Sequence, residues 1–182
     1  MSQLASIPNL LTITRLLLAP FVFRAIVDAR PGVALTLFAC AALTDGLDGM
    51  LARRFGQATP LGALLDPIAD KLLLSGVFLA LALAGSIQWW LVILVLGRDI
   101  FLLASAGIVM LFTDLRQFPP SVWGKISTLV QVACAGAWML QNAGISPHFN
   151  SVARALVWPT AAATLWSGLH YSWRTLRFLT VH

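Results

Sequence analysis

Residues 45–70 read DGLDGMLARRFGQATPLGALLDPIAD, with Asp45 and Asp48 at one end and Asp66 and Asp70 at the other. Apolar sequence on both sides is long enough to cross a bilayer. A carboxylate is costly in hydrocarbon, and one found there marks a functional site by default. Four of the chain's seven acidic residues fall in this stretch. Such a cluster requires a charge partner. A hard divalent cation such as Mg²⁺ or Mn²⁺ meets the requirement, because it takes several carboxylate oxygens at once.

The surrounding composition agrees with a membrane setting. Of 182 residues, 59% are hydrophobic and 10% are charged, where a soluble domain averages about 25% charged. The mean hydropathy is +0.85. These values point to one polytopic helical domain over residues 1–182, without room for a soluble domain. Every acid is an aspartate, and the formal net charge is +5. In a soluble protein that charge would point to nucleic acid. No basic stretch here is interleaved with aromatics, so nucleic acid is not expected. The charge reads instead as topology signals and affinity for anionic headgroups. Cys40 and Cys134 lie in apolar runs without metal-ligand spacing and read as packing residues. The N-terminus lacks the pattern of a cleavable signal or transit peptide, which makes a bacterial inner membrane the expected location.

Residues 2–11 read as a short interfacial segment. Six spans are expected at about 10–28, 33–53, 64–84, 88–112, 122–141 and 151–171, each near the roughly 20 residues a transmembrane helix needs. Glycine and proline punctuate the breaks. The sixth span is interrupted by Arg154 and Pro159. Arg53, Arg54, Arg116, Lys125, Arg174 and Arg177 fall on one side and set it as cytoplasmic; Arg24 and Arg30 are exceptions. Trp89, Trp90, Trp123, Trp158, Trp166 and Trp173 lie near span ends. The expected class is thus an all-α membrane bundle with both termini and the catalytic end in the cytoplasm.

On helices, Asp45 and Asp48 lie one turn apart on span two, and Asp66 and Asp70 one turn apart on span three. A short cytoplasmic loop brings both pairs to the same end. Facing each other, they would form a carboxylate cage for one or two divalent ions, the arrangement that clamps phosphoryl transfer. Gly49 lets a ligand approach the backbone. Ala52 keeps the same helix end slim, Arg53 at the mouth can fork a phosphate or stack on a base, and Gly62 opens span three. Lys71 points about 100° from Asp70, toward a phosphate or the surface. Asn9, Thr12 and Arg15 recur on one face of the first helix. That face either lies on the membrane surface or closes over a headgroup or nucleotide.

The spacing D-x2-D-G-x2-A-R-x8-G-x3-D-x3-D, carried by Asp45, Asp48, Gly49, Ala52, Arg53, Gly62, Asp66 and Asp70, resembles the signature of the CDP-alcohol phosphatidyltransferase family. The resemblance implies a six-helix bundle, a homodimer and CDP-diacylglycerol as donor. It implies that the four aspartates bind two metal ions and that Asp70 is also the general base. By the same resemblance Asp48, Gly49, Ala52, Arg53, Gly62 and Asp66 hold the CDP portion.

The acceptor must be read elsewhere. Arg98, Asp99 and Lys125 are charges inside spans four and five. Adjacent helical residues diverge by about 100°, so Arg98 and Asp99 are expected to take separate partners. Arg98 and Lys125 are candidates for an acceptor phosphate. The opening Ile7-Pro8-Asn9-Leu10-Leu11-Thr12 with Arg15 resembles both the phosphatidylglycerophosphate synthase and the cardiolipin synthase branches. Ala106 and Ser127 stand where the former typically has cations. Arg98-Asp99 and residues 125–131 resemble the latter, although Gly124 matches the former. This pattern favours phosphatidylglycerol as acceptor, with glycerol 3-phosphate the alternative. Two remoter readings are an intramembrane prenyltransferase, which would need a second aspartate-rich motif, and a divalent-cation transporter, which would have no use for the Ala52-Arg53 and Gly62 spacing.

Overall fold

The computed structural model describes residues 7–55, 60–112 and 122–181, and the side chains of residues 10–44, 68–105 and 122–173. The described residues form six α-helices and no strand: α1 (Ile7–Val27), α2 (Pro31–Phe55), α3 (Pro60–Leu83), α4 (Trp89–Phe112), α5 (Val122–Asn142) and α6 (His148–Val181). Each coincides with an expected span to within a few residues, except α6.

Two departures have physical causes. The first helix is continuous from Ile7, so residues 7–11 are its opening turns and not a separate interfacial piece. Neither Arg154 nor Pro159 interrupts α6, which runs 34 residues, about 50 Å at 1.5 Å per residue. Proline removes one backbone donor. The carbonyl left without that donor is Ala155's; next to it, Thr160 Oγ1 donates to the Leu156 carbonyl at 2.7 Å. As a result Trp158 and Trp166 lie well inside α6 and not at its ends. They pack against Trp90 of α4 and Trp123 of α5, with ring centroids 5.8 and 5.7 Å apart.

The turns are tight. After α1, Arg30 N–H bonds the Ala25 carbonyl and Ala29 N–H the Ile26 carbonyl, with Ala29 at φ 53°. After α3, Ser86 N–H bonds Leu81 and Gly85 N–H bonds Ala82, with Gly85 at φ 74°. Both are left-handed helix stops that satisfy terminal carbonyls. They turn the chain back at once, so α1 and α2, and α3 and α4, are joined by a few residues.

Helix α1 packs along both α2 and α3, and α5 along α6; α4 joins α6 and α3, and α5 also touches α2 and α3. The core between them is built from Val22, Phe38, Val77, Phe78, Leu81, Leu91, Val95 and Met139. Small residues such as Ala34, Ala41, Ala80 and Ala135 let the helices approach. Outward positions are equally apolar: Phe21, Leu43, Ile93, Leu129, Leu169 and Trp158 are all exposed. Large exposed apolar areas on a helical bundle mark contact with lipid or protein. Cys134 is buried, but Cys40 is on this exposed face and not in the core. Among the described residues, Leu10–Val27 is the one stretch long and apolar enough to cross a membrane (18 residues, hydropathy 1.9), and Pro31–Thr44 is a shorter apolar helix.

Candidate active site

Asp45 and Asp48 lie in α2, and Asp66 and Asp70 in α3. The helical backbone sets each pair one turn apart, as the spacing requires. The side chains of Asp45, Asp48, Gly49, Ala52, Arg53, Gly62 and Asp66, and that of Asn9, lie outside the described side chains. Asp70 is the member of the constellation whose surroundings are described. Among the described side chains no three His, Cys or Asp gather as a metal site.

Asp70 sits at a boundary. Its side chain is 41% exposed, and its Oδ1 accepts a hydrogen bond from Nη1 of Arg15, which is only 1% exposed. Thr12, one turn before Arg15, is also buried. The Thr12 and Arg15 face of α1 is therefore turned into the bundle, not toward the membrane surface. That burial does not fit a polar face lying on the membrane surface. The direction follows from packing: α1 lies against α3, so residues spaced like Thr12 and Arg15 share its inner face.

Beside Asp70, Lys71 does not run to the surface. Its Nζ donates to Asp99 Oδ1 of α4 at 2.5 Å. The same oxygen accepts from Arg98 Nη1 at 2.7 Å, so adjacent Arg98 and Asp99 do pair, contrary to the expectation from their 100° divergence. That divergence separates Cβ directions, but a long arginine can fold back across its neighbour. Burial of both residues removes the water that would otherwise compete. Arg98 Nη2 donates to Ser167 Oγ of α6 at 2.7 Å, and Arg98 Nε is buried without a hydrogen-bond partner among the described residues. Two cations thus share one carboxylate, that of Asp99, and the lysine of the pair is next to Asp70 in sequence. Arg98 is buried against α6, whereas Lys125 is exposed near the start of α5, so the two candidates for an acceptor phosphate stand in different settings.

A second polar seam was missed by sequence reasoning. Buried Gln131 of α5 donates to Thr164 Oγ1 at 3.0 Å and, more weakly, to Ser127 Oγ at 3.4 Å. Thr164 Oγ1 donates in turn to the Thr160 carbonyl at 2.7 Å. Thr160, Thr164 and Ser167 recur at i, i+4 and i+7 on an otherwise apolar helix, a signal present in the sequence. Gln131, which belongs to the cardiolipin synthase-like run at residues 125–131, is therefore engaged in helix packing.

Known proteins add an independent line. The family model for CDP-alcohol phosphatidyltransferase matches residues 5–166. A Mycobacterium tuberculosis protein named probable phosphatidylglycerophosphate synthase is 34% identical, covering 97% of this chain and 84% of that protein. The Escherichia coli K12 CDP-diacylglycerol–glycerol-3-phosphate 3-phosphatidyltransferase is 36% identical over 91% of this chain and 92% of its own. A Drosophila melanogaster protein named probable cardiolipin synthase (CMP-forming) is 37% identical over 74% of this chain but 47% of its own length.

Proposed function

Because the chain belongs to the CDP-alcohol phosphatidyltransferase family, we propose that it transfers the phosphatidyl group of CDP-diacylglycerol to glycerol 3-phosphate and releases CMP. The observation that carries this choice of acceptor is end-to-end similarity. The two bacterial relatives named for that product or that reaction align over most of both chains, whereas the cardiolipin synthase relative aligns over less than half of its own. The structure supports the change from the acceptor favoured by sequence pattern. Gln131 is occupied by Thr164, and Asp99 by Lys71 and Arg98. Their match to the cardiolipin synthase pattern thus has a packing explanation. Phosphatidylglycerol stays as the second reading, because Ala106 and Ser127 lack the charge typical of the other branch.

Asp45, Asp48, Asp66 and Asp70 would hold one or two Mg²⁺ or Mn²⁺ ions, to which an all-carboxylate donor set is suited. The partial exposure of Asp70 fits this role, since an ion can reach its carboxylate. When bound, the ions neutralise the pyrophosphate and the departing phosphate. The chain's own residues do the rest. Asp48, Gly49, Ala52, Arg53, Gly62 and Asp66 seat the CDP portion, with Asn9 and Thr12 closing over it. Arg98 and Lys125 attract the acceptor's phosphate. The acceptor oxygen bonds to the phosphorus beside diacylglycerol, the bond from that phosphorus to the bridging oxygen breaks, and its electron pair leaves with CMP. Asp70 receives the hydroxyl proton. The same reading places a homodimer of six-span bundles in a bacterial inner membrane, catalytic end toward the cytoplasm.

The test is an acceptor panel. Purified protein with CDP-diacylglycerol and Mg²⁺ is offered glycerol 3-phosphate, phosphatidylglycerol, inositol phosphate or serine, and CMP and lipid product are measured. Product from glycerol 3-phosphate alone supports the proposal. Cardiolipin from phosphatidylglycerol, without phosphatidylglycerophosphate, would replace it with the second reading.

A further inference from the structure

The buried guanidinium of Arg15 has no role in the reaction as set out so far. We propose that Arg15 is a positioning residue: it holds the Asp70 carboxylate from behind and fixes the orientation in which that carboxylate meets the acceptor hydroxyl. The inference rests on the reading of Asp70 as general base.

Three observations carry it. The first is the asymmetry of burial. Arg15 is 1% exposed and the Asp70 side chain 41%, so the pair runs from the bundle interior outward, with the carboxylate at its accessible end. At that depth Arg15 is placed to act through the carboxylate it holds. The second is architectural. Helix α1 packs along both aspartate-bearing helices, α2 and α3, and presents Thr12 and Arg15 inward. Lys71, the cation adjacent to Asp70 in sequence, is committed to Asp99 on another helix. Arg15 is therefore the described cation on Asp70. The third is energetic. A buried ion pair adds little stability compared with apolar packing of the same volume, and an arginine in an apolar bundle is costly. Stability alone gives no reason for Arg15, whereas fixing a base within a fraction of an ångström does, since small misplacements of a reacting group cost large factors in rate.

Arg15→Gln, Arg15→Lys, Asp70→Asn and the Arg15→Gln/Asp70→Asn double variant are prepared in the full chain. Each is measured for kcat, for KM toward both substrates, for thermal midpoint and for CDP binding. Arg15→Gln is expected to lower kcat by about 10- to 100-fold with both KM values within about two-fold, and to leave CDP binding unchanged. Arg15→Lys, which keeps the charge, is expected to restore kcat to within a few-fold of the parent. The double variant is expected to be no slower than Asp70→Asn alone, since residues acting as a unit are not additive. Should Arg15→Gln fail to fold, the lysine variant decides: retained fold and both KM values with a kcat lowered only a few-fold supports the role. A rise in KM for CDP-diacylglycerol with weakened CDP binding would make Arg15 a nucleotide contact and overturn the proposal. So would full kcat in Arg15→Gln, or additive losses in the double variant. Full turnover in Asp70→Asn would instead remove the general-base reading itself, which separates the two failures.

Discussion

A single oxygen, Oδ1 of Asp99, accepts hydrogen bonds from two positive groups on two helices, Lys71 Nζ and Arg98 Nη1. Removing the shared acceptor leaves Arg98 buried and Lys71 without its described carboxylate. Breaking one side of a buried ion pair typically costs about 3–5 kcal/mol. Asp99→Ala is accordingly expected to lose about that much stability, read as a lowered unfolding midpoint in detergent. Asp99→Asn, which keeps an acceptor oxygen, is expected to lose less. If both variants unfold like the parent, the pairing contributes nothing to the fold.

Among the elements, α5 and α6 are joined by a polar seam inside an apolar interface. Interhelical hydrogen bonds in membrane bundles are individually modest, averaging about 0.6 kcal/mol. Gln131→Leu removes one such bond, and Thr164 keeps its bond to the Thr160 carbonyl. The substitution is therefore expected to cost only about 1 kcal/mol or less, measured by unfolding, and to leave the ratio of products in the acceptor panel unchanged. A switch of acceptor in this variant would return Gln131 to the site and undo the packing account. In contrast, α1 is an element whose polar face serves α3. Its inward Thr12 and Arg15 are buried, and Arg15 is paired to Asp70 of α3.

For the whole molecule, the described exterior is largely apolar, and Arg15, Asp70, Lys71, Arg98 and Asp99 pair in the interior or at its edge. Metal removal tests the proposed role of the aspartates. Chelation with EDTA is expected to stop CMP release, and added Mg²⁺ or Mn²⁺ to restore it, measured as CMP from CDP-diacylglycerol in detergent micelles. Undiminished CMP release in the chelator would mean that the four aspartates do their work without a cation. Side chains such as Leu17, Phe21, Ile93 and Leu129 are exposed on the outside of the bundle, the kind of apolar surface that contacts lipid or protein.

The all-α class, the six helices of the described residues and the family were legible in the linear chain. These depend on local properties: apolar run length, turn residues, and the fixed spacing of Asp45, Asp48, Gly49, Ala52, Arg53, Gly62, Asp66 and Asp70. The convergence of those side chains, apart from Asp70, lies outside the described side chains and still rests on the spacing. Which charge meets which was settled by how the helices pack. Helical periodicity states which residues share a face, but it does not say which helix that face will meet. Arg15 meeting Asp70 across 55 positions of chain, Lys71 meeting Asp99 across 28, and Gln131 meeting Thr164 across 33 are all products of helix packing. The physical reason is that a long polar side chain in an apolar interior takes whichever complementary group packing brings within reach. That choice belongs to the assembled bundle and not to any one segment.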